Sequence, residues 1–184
     1  MAEPHSASSG HIPDGDRRPA TEAQARALAS GTRLRILRLC LSEALTNKEL
    51  ATHLRKHPAS VLHHVRTLVD TGFLVAEPVR RGSRGAREVP YRATGLSWKV
   101  DLGDSAAGRP DAALEAFLEE VSAVGQARLQ SARLGLRLPA DQIEEFRGRV
   151  FAVLDEFARR PMDPEGERWS VYVGIHPEPG TVRD

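Results

Sequence analysis

The chain has 184 residues, 40% of them apolar and 28% charged, with a formal net charge of +1. That composition fits a globular protein with one good core, or a small domain plus an accessory element, and excludes a fibrous or wholly disordered chain. No apolar run reaches the roughly eighteen residues of a membrane span. No apolar leader follows Glu3, and the single cysteine, Cys40, excludes an intrachain disulfide and a multi-thiolate metal site, so a reduced cytoplasmic setting is expected.

The small net charge conceals a polarity. Residues 51–100 carry nine Lys/Arg against three Asp/Glu, whereas residues 101–184 carry ten against sixteen. The first of these segments suits a polyanion and the second does not.

Residues 1–19 are rich in Ser, Gly, Pro, Asp and His and are expected to be a disordered tail. A helical pattern starts near Thr21, is interrupted at Ser30-Gly31-Thr32, and resumes to about Ser42 with Cys40 as a buried small hydrophobe. Thr46 and Glu49 form a capping-box pair, with Leu45 and Leu50 at the staple positions, and predict a helix from Asn47 to about Arg55. After a break at Lys56-His57, Pro58 opens a further helix to about Thr71, with Val61, Val65, Leu68 and Val69 as its apolar stripe and Gly72 as its cap. Two helices this close in sequence, after a third, make a helix-turn-helix. Phe73-Leu74-Val75 and the stretch from Glu88 to Arg92 predict a hairpin whose tip carries Arg80, Arg81, Arg84 and Arg87, four arginines in eight residues. This is a candidate phosphate-contacting wing.

Residues 101–110 predict a linker, and residues 111–132 and 140–159 predict long helices with broad apolar faces. Leu134–Leu138 and Trp169–Ile175 alternate and predict a short two-stranded element. The expected fold is α+β and mainly helical, with a winged helix-turn-helix DNA-binding domain over residues 20–100 and a C-terminal dimerisation region, with a possible effector role, over residues 111–184.

Residues 24–96 resemble the winged-helix domain of arsenic-repressor (ArsR) type regulators. The resemblance is carried by Gly31-Thr32-Arg33-Leu34-Arg35-Ile36-Leu37, Leu45-Thr46-Asn47-Lys48-Glu49-Leu50-Ala51, Pro58-Ala59-Ser60-Val61-Leu62-His63-His64-Val65 and Leu68-Val69-Asp70-Thr71-Gly72-Phe73-Leu74. The remainder is similar to the C-terminal region of longer actinobacterial-type members. The resemblance implies a DNA-binding transcription regulator, a repressor in role, and implies that His64 supports the fold. The chain departs from it in three ways. The helix of Asn47–Arg55 lacks the paired cysteines of metal-sensing relatives, His57 stands where a serine-like cap is usual, and Leu62 stands where a small polar residue is usual.

With Val61, Val65 and Leu68 turned inward, Ser60, Leu62, His63 and Arg66 are the candidates for the major groove. Arg66 suits a guanine edge or a phosphate, Ser60 suits either, Leu62 suits a thymine methyl, and His63 suits a phosphate or base acceptor. One short helix reads few bases, so a homodimer on a near-palindromic duplex operator is expected, with no metal and no cofactor. Two alternatives differ in class: a small-molecule-responsive regulator whose apolar pocket is lined by Phe117, Val121, Phe146, Val150 and Trp169, and a winged-helix protein-interaction module. No phosphate loop, zinc-binding His-Glu-x-x-His or GxSxG elbow is present, so an enzyme is not expected.

Overall fold

The computed structural model describes residues 18–82, 85–102, 111–161, 163 and 165–178. Its helices are α1 (Glu22–Leu28), α2 (Gly31–Ser42), α3 (Asn47–Leu54), α4 (Pro58–Asp70), α5 (Ala112–Val124) and α6 (Ala140–Ala158). Its strands are β1 (Arg18–Pro19), β2 (Leu45–Thr46), β3 (Leu74–Ala76), β4 (Arg80–Arg81), β5 (Arg87–Glu88), β6 (Pro90–Ala93) and β7 (Val100–Asp101). The fold is a mainly helical α+β arrangement with the winged helix-turn-helix at its N-terminal end.

Local chemistry sets the first helices. Thr21 and Gln24 form a reciprocal capping box on α1, and the Gln24 side chain donates to the Thr71 carbonyl at 3.3 Å, tying α1 to the end of α4. Ile36, Cys40, Leu50, Val61, Val65, Leu68 and Phe73 are fully buried and form the core between α2, α3, α4 and the sheet. Burial pushes the Cys40 thiol up to about 12, so it is a neutral core side chain. The sheet is antiparallel, in the order β2-β6-β3, with Leu45 opposite Tyr91 and Val75 opposite Arg92. The wing tip β4-β5 extends from it.

Helix α5 belongs to this body. Its Ala116 is buried against α2, and a Cβ at Gly31 would lie 3.1 Å from the Ala116 nitrogen, so glycine permits the close crossing. Ser30 gives α2 no side-chain cap, and Glu115 supplies one by accepting from the Gly31 N–H at 3.4 Å. Arg35 pairs with Glu119 at 2.6 Å and Arg38 with Glu120 at 3.7 Å. The segment leaving α6 returns to the same surface. Arg168 pairs with Glu43, Ser170 donates to Glu120 at 2.5 Å, Tyr172 stacks on Phe117, and the Tyr172 hydroxyl donates to Asp111 at 2.8 Å. Burial and that carboxylate push the Tyr172 phenol up to about 12.

Three expectations are corrected. Arg18–Pro19, at the end of the expected tail, pair in parallel with Val100–Asp101, while residues 1–17 lie outside the described residues. The helix expected over residues 111–132 ends at Val124, because Gly125 turns the chain with φ +84° and only a short 3-10 turn follows. Leu134–Leu138 and Trp169–Ile175 form no ladder: the leucines are exposed, and the second segment is held to α5 and α2 by side chains instead. Alternation signals a face to cover and does not supply the partner strand. Most of the linker, residues 103–110, lies outside the described residues.

Candidate nucleic-acid interface

The two helices of the motif are locked by side chains that sit close in sequence. The Thr46 hydroxyl accepts from the Glu49 N–H at 3.2 Å while Glu49 accepts from the Thr46 N–H at 2.7 Å. These hydrogen bonds, the Thr46 backbone N–H first, hold the Glu49 carboxyl below the usual range. Arg55 ends α3 in the left-handed region with φ +53°, a conformation that lets the chain turn sharply into α4. His57 then takes the place of the serine-like cap, its Nδ1 accepting from the Ala59 N–H at 3.2 Å. Asn47 braces the turn by donating to the Pro58 carbonyl at 3.0 Å.

With Val61, Val65 and Leu68 fully buried, α4 turns Ser60, His63 and Arg66 outward, all exposed, and leaves Leu62 half-buried. Among the described residues Arg66 makes no ion pair. His64 is half-buried, with burial first and the Arg33 and His63 charges next holding its pKa below the ordinary 6.5. Its Nδ1 is buried without a hydrogen-bond partner among the described residues, so it is a neutral packing group whose polar needs are only partly met.

The wing arginines have unlike surroundings. Arg80 reaches Glu49 on α3 at 2.5 Å and Glu88 across the ladder at 3.8 Å, so it joins the wing to the helix-turn-helix. Arg81 sits directly opposite Arg87 in the β4-β5 register, and both are exposed and unpaired among the described residues. Like charges facing across a ladder repel. Val79, Arg80, Arg81, Gly85 and Arg87 line an open hollow at this tip. Arg84 lies outside the described residues.

Sequence reasoning does not single out the Glu49-Arg80 bridge. A glutamate already used by a capping box carries no visible sign of a second partner 31 residues away. It also passes over Lys48, Arg55 and Lys56, which are exposed along α3 and the following turn. The count of basic residues in 51–100 is the signal that includes the last two.

The expected effector-pocket residues are not gathered together. Phe117 and Val121 lie on α5, Phe146 and Val150 on α6, the two helices share no substantial packing, and Trp169 is exposed.

The architecture is a winged helix-turn-helix, the class of module that DNA-binding transcription regulators use. Residues 28–81 match a family model described as a helix-turn-helix domain. No curated protein matches the chain. Among solved structures, the adhesin competence repressor (AdcR) from Streptococcus pyogenes is 22% identical over 68% of this chain and 78% of its own, with a TM-score of 0.33. Wild-type ZitR from Lactococcus lactis in complex with DNA is 18% identical over 83% of this chain and 84% of its own, with a TM-score of 0.32. A point mutant of the same ZitR is 17% identical with the same coverages and a TM-score of 0.33.

Proposed function

We propose that the protein is a sequence-specific regulator that binds duplex DNA as a homodimer, a binding protein rather than an enzyme, working in the cytoplasm as a repressor. The observation that carries this reading is the Arg81-Arg87 pair at the wing tip. Two unpaired arginines held opposite each other on a two-residue ladder raise the energy of the free protein, and a phosphate between them relieves that repulsion. Exposed Ser60, His63 and Arg66, with half-buried Leu62, supply a reading surface on α4. Arg80, grouped by sequence with the phosphate contacts, is better placed as the strut that fixes the wing to α3.

A division of the chain follows, with residues 20–100 as the DNA-binding domain and residues 111–184 as the region that joins two copies. In this reading the protein senses no metal through thiolates, because its one cysteine is a buried neutral thiol and cysteine ligates a metal as the thiolate. No described helix is long and apolar enough to cross a membrane.

The test is selection of duplexes from a random pool by the purified full chain. The expected result is enrichment of a near-palindromic sequence of two half-sites about one helical turn apart. Absence of any enriched sequence would contradict specific recognition, and an enriched single half-site would contradict the dimer.

A further inference from the structure

Helix α6 spans 19 residues, and not one of them is buried. Among the described residues it has no substantial packing against any other element. The face of α2 that lies outside the core is already covered by α5. Yet Ile143, Phe146, Val150, Val153 and Phe157 recur at alternating spacings of three and four, the seam of a two-stranded coiled coil. Val153 and Phe157 are 55% and 58% exposed, more than an isolated chain in water should leave uncovered on one helix.

We infer that α6 pairs antiparallel with α6 of a second copy, in a register that sets Phe146 against the partner subunit's Phe157 and Val150 against the partner subunit's Val153. This deepens the dimer reading proposed above and rests on it. The occupant is argued from charge. Arg149 and Glu156 flank the seam on one side, and in this register each faces its opposite, Arg149 against the partner subunit's Glu156 and Glu156 against the partner subunit's Arg149. Asp141, Glu144 and Glu145 stand at the start of α6 and Arg159 and Arg160 directly follow its last residue, Ala158, so antiparallel pairing brings the acidic start near this basic pair. Parallel pairing would set the acidic start against its like. Among the described residues these charges pair within the helix, as in Arg149–Glu145 at 3.5 Å, Arg159–Asp155 at 2.8 Å and Arg160–Glu156 at 2.5 Å, and solvent reaches all of these groups. Exposed Leu134, Leu136 and Leu138, just before α6, extend the apolar surface available to a second copy.

Sedimentation equilibrium of the full chain tests this, with circular dichroism as the check on folding. Val150→Glu/Val153→Glu should weaken self-association by about 100-fold or more, since each copy would then bring two charges into an apolar seam. Neither position is buried within the protomer, so the body should keep its thermal transition. Arg149→Glu alone and Glu156→Arg alone should each weaken the dimer about tenfold, with like charges meeting at two symmetry-related places. The double variant Arg149→Glu/Glu156→Arg should restore it, although both variants disturb the pairs inside the helix. A wild-type protein that is monomeric throughout would overturn the dimer reading and this register together. A dimer indifferent to Val150→Glu/Val153→Glu would overturn only the α6 assignment. A dimer lost in that variant but not rescued by the double charge swap would overturn the antiparallel register.

Discussion

Helices α4 and α6 carry apolar stripes of similar regularity and have opposite fates. In α4, Val61, Val65 and Leu68 are fully buried, and the helix is fixed by a cap, a proline and two neighbouring helices. In α6, five large apolar side chains follow the same periodicity and none is buried. Periodicity therefore reports that a face needs covering and says nothing of whose surface covers it. Among the described residues, one region is packed within the chain and another, α6, is not.

The largest effects should mark that boundary. Leu68→Ala removes side-chain volume from a sealed core and should cost about 2–5 kcal/mol in urea unfolding. Val153→Ala, on α6, should change protomer unfolding by no more than about 0.5 kcal/mol. Equal losses at the two positions would erase the distinction.

Helix α5 sharpens the same line, because it stands after the linker in sequence and within the body in space. Arg35 keeps only 14% of its side-chain exposure beside Glu119. Arg35→Ala should therefore destabilise the body by about 2 kcal/mol, the usual scale for losing a charged hydrogen bond that is partly shielded from water. Denaturant unfolding that matches wild type would place α5 outside the body.

Most of the body was legible in the sequence, for physical reasons that differ from residue to residue. Thr46 and Glu49 marked the start of α3, Pro58 the start of α4 and Gly72 its end, because caps are local chemistry. The end of α5 at Gly125 was legible in principle and was overridden by the apolar pattern that continues to Leu129. The α2-α5 packing was not legible. Glu115, Glu119 and Glu120 read as part of an acidic half, and their partners Gly31, Arg35 and Arg38 lie more than 80 residues away. On α4, the outward face followed from the buried stripe, so the exposure of Ser60, His63 and Arg66 was legible. Which wing arginine is a strut and which is free depends on a contact to α3 that no local pattern encodes.

Within the body, the reading surface and the wing should separate by kind of loss. Arg66→Ala should cost about 1–3 kcal/mol on the selected operator and less on random duplex, if it reads a base edge. Arg81→Ala should weaken all duplexes alike and shallow the slope of log affinity against log salt by about 1. Arg80→Ala should leave that slope nearer wild type, since Arg80 is already neutralised by Glu49 and Glu88. Identical slopes for the two wing variants would return Arg80 to the phosphate contacts.

The smallest effect is with pH. The His64 pKa is depressed in the folded chain, so the unfolded chain takes up its proton first as the pH falls. The stability that neutral His64 contributes is present above about pH 6.5, the ordinary histidine value, and is lost as pH falls through its folded value. Thermal melting at pH 7.5 and 5.5 should show a lower midpoint in acid, and His64→Gln should reduce the difference. A midpoint that rises in acid would reverse the sign assigned to His64.

The division of labour between the body and α6 is tested most directly on DNA. Wild-type protein and Val150→Glu/Val153→Glu are titrated, at one salt concentration, against the two-half-site operator and against a single half-site. Both proteins should bind the half-site with the same affinity. On the operator, the variant should be weaker by about 100-fold, because linking two modules raises effective concentration without adding a contact. A variant that loses the half-site as severely as the operator, or that binds the operator as tightly as wild type, would contradict that division of labour.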